Sequence, residues 1–150
     1  NFTPILAIGL VCGYLGLSRW VGVSLPLIIM LISDIYLGLS PISGFVYISI
    51  IVIAFLGRLL RRSSYLNVCL LGSFFSALLF FFITNFGVWI LDGGSLYSWT
   101  LSGLTACYLS GLPFFTRTLS GTVVYSGLFL AVYQFVQTRV PVLVFYRSNR

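Results

Sequence analysis

Four stretches of this chain, residues 35–57, 63–91, 93–116 and 118–138, carry no formally charged side chain. Each is close to the roughly 20 apolar residues that a helix needs to cross a bilayer. That pattern excludes most soluble folds, because hydrocarbon offers no water to unpaired backbone groups and admits only helices or closed barrels. Hydrophobic residues make up 59% of the chain and charged residues 7%, with a mean hydropathy of +1.11, so an integral membrane protein is expected. The fold class is predicted to be all-α, a multi-pass transmembrane helical bundle.

The net charge of +6 comes from eight arginines against two aspartates, with no lysine, glutamate or histidine. The arginines fall near the ends of apolar segments without interleaved aromatics, which suits topological anchoring and not nucleic-acid binding. Cys12, Cys69 and Cys107 lie within apolar segments at spacings unlike those of a metal or redox pair, and read as packing residues. Without His, Glu or Lys, and with its two carboxylates far apart in sequence, the chain offers no nucleophile and base to pair; no enzyme is expected. A metal site or a His-ligated haem is equally unsupported, so no cofactor is predicted, although 26 aromatic residues suit contact with lipid or pigment.

Six membrane segments are expected, at residues 4–17, 21–39, 45–60, 65–83, 101–115 and 118–136. Pro4 suits a first helical turn, and Pro26 is early enough in the second segment to be tolerated as a kink. The fourth segment should dissolve at Thr84, Asn85, Phe86 and Gly87, where Asn85 and Gly87 have the composition of a helix C-cap. Residues 1–136 then form the bundle, and 137–150 a basic tail whose three arginines surround an apolar patch at 140–146. With six crossings, Arg19, Arg58, Arg61, Arg62 and Arg117 share one face and both termini lie on the other. The positive-inside rule makes the arginine face cytoplasmic in a bacterial inner membrane, or matrix or stromal in an inner mitochondrial or thylakoid membrane. The chain starts at Asn1 without Met, and no signal or transit peptide is evident, so an upstream segment is expected to have been removed.

Asp34 is the one charge deep in an apolar run, and an acid there usually has a partner or a task. Six crossings would gather it with Asn1, Thr3, Tyr36, Tyr47, Thr84, Asn85, Trp89 and Asp92 near the arginine-poor face. In the functional reading Asp34 binds an amine or hydroxyl of a small solute, Thr84 and Asn85 add hydrogen bonds, and Trp89 gives a stacking face. In the structural reading its carboxylate accepts from Ser33, Tyr47 or a neighbouring helix. Small residues at four-residue spacing mark a second kind of site, helix docking: Gly9 with Gly13, Gly72 with Ser76, and Gly103 with Cys107 and Gly111. These contacts fall either within the chain or on a partner subunit.

The strings Asn1-Phe2-Thr3-Pro4, Leu25-Pro26-Leu27 through Ser33-Asp34, Thr84-Asn85-Phe86-Gly87-Val88-Trp89 and Pro113-Phe114-Phe115 resemble an uncharacterised family of small bacterial multi-pass membrane proteins. That family is in turn distantly similar to the substrate-binding components of energy-coupling-factor vitamin transporters. The resemblance implies a compact helical bundle with a solute pocket near the outer face and a small-residue docking surface for a transport partner, with Gly9 and Gly13 as candidates. Members carry a further apolar segment before the Asn-Phe-Thr-Pro string and tend to have an acid where this chain has Thr122. Two functions are therefore expected in turn: a non-enzymatic binder or transporter of a small solute, or an accessory subunit of a photosynthetic or respiratory complex packing lipid, pigment and partner helices. Either way the partners are the lipid bilayer and other membrane subunits.

Overall fold

The computed structural model describes residues 2–16 and 18–139. The elements are α1 (Ile5–Tyr14), α2 (Arg19–Leu37), α3 (Ser43–Leu59, continued by a 3-10 turn over Leu60–Arg62), α4 (Tyr65–Leu91) and α5 (Leu101–Arg139). No strand occurs among the described residues. Four helices, α2 to α5, are long and apolar enough to cross a membrane. The expectation of six crossings is corrected in two places.

The first correction concerns α1. Its 10 residues extend about 15 Å at 1.5 Å per residue, half of a typical hydrocarbon core. It ends where Gly16 takes a φ of 70°, a conformation open to glycine, and the bare Gly16 backbone leaves room for the Arg61 guanidinium beside the C-terminal end of the helix. Because α1 is apolar on every side it is buried on nearly every side, with Leu6, Ala7, Leu10, Val11 and Tyr14 all inside. It lies at the centre of the bundle and is too short to count among the candidate spans.

The second correction joins residues 101–115 and 118–136 into one helix. At 39 residues α5 is about 58 Å long, so it crosses at a steep tilt or stands out beyond the bilayer. The Thr116-Arg117-Thr118 string has the composition of a boundary but does not break the helix, and the Thr116 and Thr118 hydroxyls are satisfied within it by donating back to the carbonyls of Pro113 and Phe114 at 3.0 and 2.9 Å. Pro113 is accommodated on the exposed side, where a bend meets no neighbour. Removing one crossing moves the end of the chain. Helix α5 runs antiparallel to α4, so Arg139 emerges at the same end of the bundle as Arg58, Arg61 and Arg62, and Arg117 leaves the arginine face for mid-helix. The helix also passes the expected bundle boundary at residue 136. The remaining tail, with Arg147, Arg150 and the 140–146 patch, lies outside the described residues.

Helix α4 outlasts its expected end by a different route. Thr84 Oγ1 and Asn85 Nδ2 donate to the carbonyls of Phe80 and Phe81 at 2.7 and 2.8 Å, so both donors are satisfied within a helix that runs on past them. Gly87 is a packing position and not a cap: a Cβ there would lie 2.4 Å from Phe45 Cγ and 2.8 Å from Ile42 Cδ1. A π-helical turn over Val68–Gly72 interrupts the start of α4, where the Cys69 thiol donates to the Val123 carbonyl at 3.6 Å.

The layers follow from these contacts. Helices α1 and α3 run parallel and cross with backbones touching. A Cβ on Gly13 would lie 2.1 Å from the Ala54 carbonyl oxygen, and one on Gly57 would lie 2.1 Å from that of Leu10. Helix α2 packs outside this pair with Pro26 buried within it, and α4 and α5 form an antiparallel pair on the opposite side. The core lies between, where Leu6, Leu10, Ile50, Ile53, Val68 and Leu130 meet. Outward faces carry Ile35, Leu59, Leu66, Phe75, Leu109 and Leu128, surface suited to lipid.

Candidate ligand groove between the last two helices

The α4–α5 pair is held by side chains reaching across to backbone. Cys107 Sγ donates to the Asn85 carbonyl at 3.4 Å, and Tyr108 Oη donates to the Phe82 carbonyl at 3.0 Å. Near these bonds the helices part around a groove of about 280 Å³. Phe80, Phe81, Phe114 and Phe115 form its aromatic walls, with Ala77, Val88, Cys107 and Gly111 between them. Thr84, Asn85, Tyr97, Ser110 and Thr118 supply its polar groups. No charged side chain lines it. Its size is near the lower end of the range for small-molecule pockets.

Gly111 decides the shape of the polar edge. A Cβ at this position would lie 2.3 Å from Asn85 Oδ1, so the amide occupies space that any other residue would fill. Asn85 Nδ2 is committed to the Phe81 carbonyl, whereas nothing among the described residues donates to Oδ1. The site therefore presents one amide oxygen with acceptor capacity in an aromatic setting.

The mouth is shaped by the loop after α4. Asp92 Oδ2 accepts from the backbone N–H groups of Leu96 and Tyr97 at 2.8 and 2.9 Å, which brings Tyr97 to the groove. Trp89 Nε1 donates to the Ser98 carbonyl at 3.1 Å, and the Trp89 ring lies 5.9 Å from both Phe86 and Trp99. Trp89 thus folds the loop down and does not line the groove.

Asp34 is elsewhere. It is 6% exposed, about one turn before the end of α2, and its Oδ2 accepts from Tyr47 Oη of α3 at 2.5 Å. Helix α2 packs on α1 and α3, away from the α4–α5 pair, and neither Asp34 nor Tyr47 lines the groove. Of the four residues expected to share a solute site, Thr84 and Asn85 come together while Asp34 and Trp89 stand apart. Asn1 lies outside the described residues.

The docking glycines face partners inside the chain. Gly9 and Gly13 meet Ile50, Ile53 and Ala54 of α3, so the surface implied for a transport partner is covered by the protein's own helix. Gly72 packs on Leu60 and Leu10, Gly103 on Ser98 and Gly111 on Asn85, while the Ser76 hydroxyl donates to the Gly72 carbonyl at 2.7 Å.

Comparison with known protein families gives a match over most of the chain. The chain belongs to the DUF6580 family. Residues 1–143 match it, and its description is a family of unknown function. No curated protein and no solved structure matches the chain.

Sequence reasoning missed Gly57, Tyr97, Ser110 and the phenylalanine walls. Gly57 follows Ala54 by three residues, which is helical small-residue spacing and a readable signal. The paired Phe80-Phe81 and Phe114-Phe115 were visible too, but aromatic pairs in an apolar helix more often face lipid or core.

Proposed function

We propose that this DUF6580 protein is a non-enzymatic integral membrane protein that binds a small, uncharged, largely apolar molecule in the α4–α5 groove. The observation that carries the reading is the unengaged Asn85 Oδ1 facing Gly111 between aromatic walls. A half-buried acceptor with no donor facing it favours a ligand bringing a hydroxyl or N–H, and the phenylalanines favour a flat or chain-like apolar body. The absence of lining charge disfavours ionic solutes, whose desolvation would be uncompensated. The resemblance to transporter substrate-binding components points the same way. By the positive-inside rule the end bearing Arg58, Arg61, Arg62 and Arg139 faces the cytoplasm, matrix or stroma, and the groove, which lies toward the Asp92 loop, opens nearer the opposite side.

Photolabelling tests this directly. A long-chain alcohol carrying a diazirine, added to the purified protein in detergent, should modify residues 77–88 and 107–118, and Asn85→Leu should reduce that labelling by about tenfold for the lost hydrogen bond. Labelling spread evenly over all lipid-facing helices, or unchanged in Asn85→Leu, would remove the groove as a site.

A further inference from the structure

A charged residue sits where the bundle gives it nothing to pair with. Arg117 lies near the middle of α5, about 24 Å along the helix from its start, and is exposed on the outer side of the bundle. The adjoining Thr118 lines the groove together with Ala77 and Phe81 of α4, which places Arg117 level with the central part of that helix. With α4 in the bilayer, the guanidinium is far from both interfaces. A side chain that snorkels shifts its charge by a few ångströms only, which is not enough to reach headgroups from this depth. Neither carboxylate side chain of the chain pairs with Arg117: Asp34 is bonded to Tyr47, and Asp92 to the backbone N–H groups of Leu96 and Tyr97.

The surface around Arg117 is shaped for a neighbouring helix. Ala106, Ser110, Pro113, Arg117, Ser120 and Val124 are all exposed and follow one another at alternating spacings of four and three residues, the seam of two helices packed side by side. Small side chains on both sides of the arginine let a second backbone approach closely. The Ser110 and Ser120 hydroxyls are already turned back on the Ala106 and Thr116 carbonyls at 2.9 and 2.8 Å, which lowers their polarity toward a partner.

We infer that this face of α5 docks a transmembrane helix of another protein carrying an aspartate or glutamate at mid-membrane, which pairs with Arg117. Charge complementarity selects that occupant. A second copy of the chain does not supply the acid at this depth, since Asp34 is buried against Tyr47 and Asp92 is held by the loop at the end of α4. Anionic lipid headgroups stay at the interfaces. The interface extends beyond the groove reading and does not depend on it; the two share only the edge residue Ser110.

The test is site-specific crosslinking of the full chain in its native membrane, with a photoreactive residue at Ala106 or Val124 and the adducts identified by peptide sequencing. The expected adduct is one foreign transmembrane peptide with an Asp or Glu near its centre. Its yield should fall by about tenfold in Arg117→Leu, persist in Arg117→Lys, and return when Arg117→Glu is combined with an Arg in place of the partner's acid. Because Arg117 is exposed, these variants should elute from detergent columns as the unaltered protein does. Adducts only with a second copy, adducts only with lipid, a partner helix lacking an acid, or a yield indifferent to Arg117→Leu would each overturn the interface.

Discussion

The α1–α3 crossing and the α4–α5 pair both rest on glycine, with opposite results. At the crossing Gly13 and Gly57 bring two backbones into contact, and a Cβ on either would strike a carbonyl oxygen of the facing helix. Between α4 and α5 the space beside Gly111 is taken by the Asn85 side chain, which can move, and the helices stand apart far enough to leave a groove. One contact is closed because backbone cannot yield; the other is adjustable because a side chain can. The tightly closed half of this molecule is therefore the half holding the short helix, and the groove of the proposed ligand lies between the two longest helices.

The largest effect to look for is an all-or-none one, because it tests whether α5 is a single helix. A reporter fused after Arg139 should read the same side of the membrane as one inserted at residues 61–64, and the opposite side from one at residues 93–96. The opposite result would restore a break near Arg117 and separate the groove from the end of the chain. Next in size is Gly57→Leu, which should cost about 3 kcal/mol of stability by overpacking a contact with no slack, seen as early aggregation on heating in detergent. A variant as stable as the parent would mean that the crossing opens easily and that the contrast between the halves is false.

Gly111→Ala sharpens the comparison from the other side. Displacing the Asn85 amide should lower stability by only about 1 kcal/mol, yet reduce photolabelling of the groove. Asp34→Asn should leave that labelling unchanged, because Asp34 answers to Tyr47 on the far side of the bundle. Loss of labelling in Asp34→Asn would rejoin the two polar groups that the fold keeps apart.

The helical class and the positions of α2 and α3 could be read from the sequence, because apolar runs closed by Gly38 or by Arg58 to Arg62 leave few alternatives. The extent of α4 and α5 could not. Asn85, Gly87 and Pro113 are residues that often end helices, and Arg117 is a charge that often ends a membrane segment; here hydroxyl and amide donors are satisfied by the helix's own carbonyls and Gly87 packs against Phe45, so the helices run on. The candidate site was half visible. Thr84 and Asn85 lie one residue apart on one helix and had to share a region, whereas grouping Asp34 with them needed a contact between α2 and α4, and hydropathy contains no information on which helices are neighbours.

The ten residues of α1 have a consequence for how the protein is made. A segment of that length is a poor substrate for insertion as a membrane helix, and the surfaces that bury it belong to α2, α3, α4 and α5, all of which emerge from the ribosome later. Helix α1 must wait for these partners and then be drawn into place, so the bundle closes around it only after they are made. A nascent chain arrested before α3 should leave α1 open to protease, and one released after α5 should protect it.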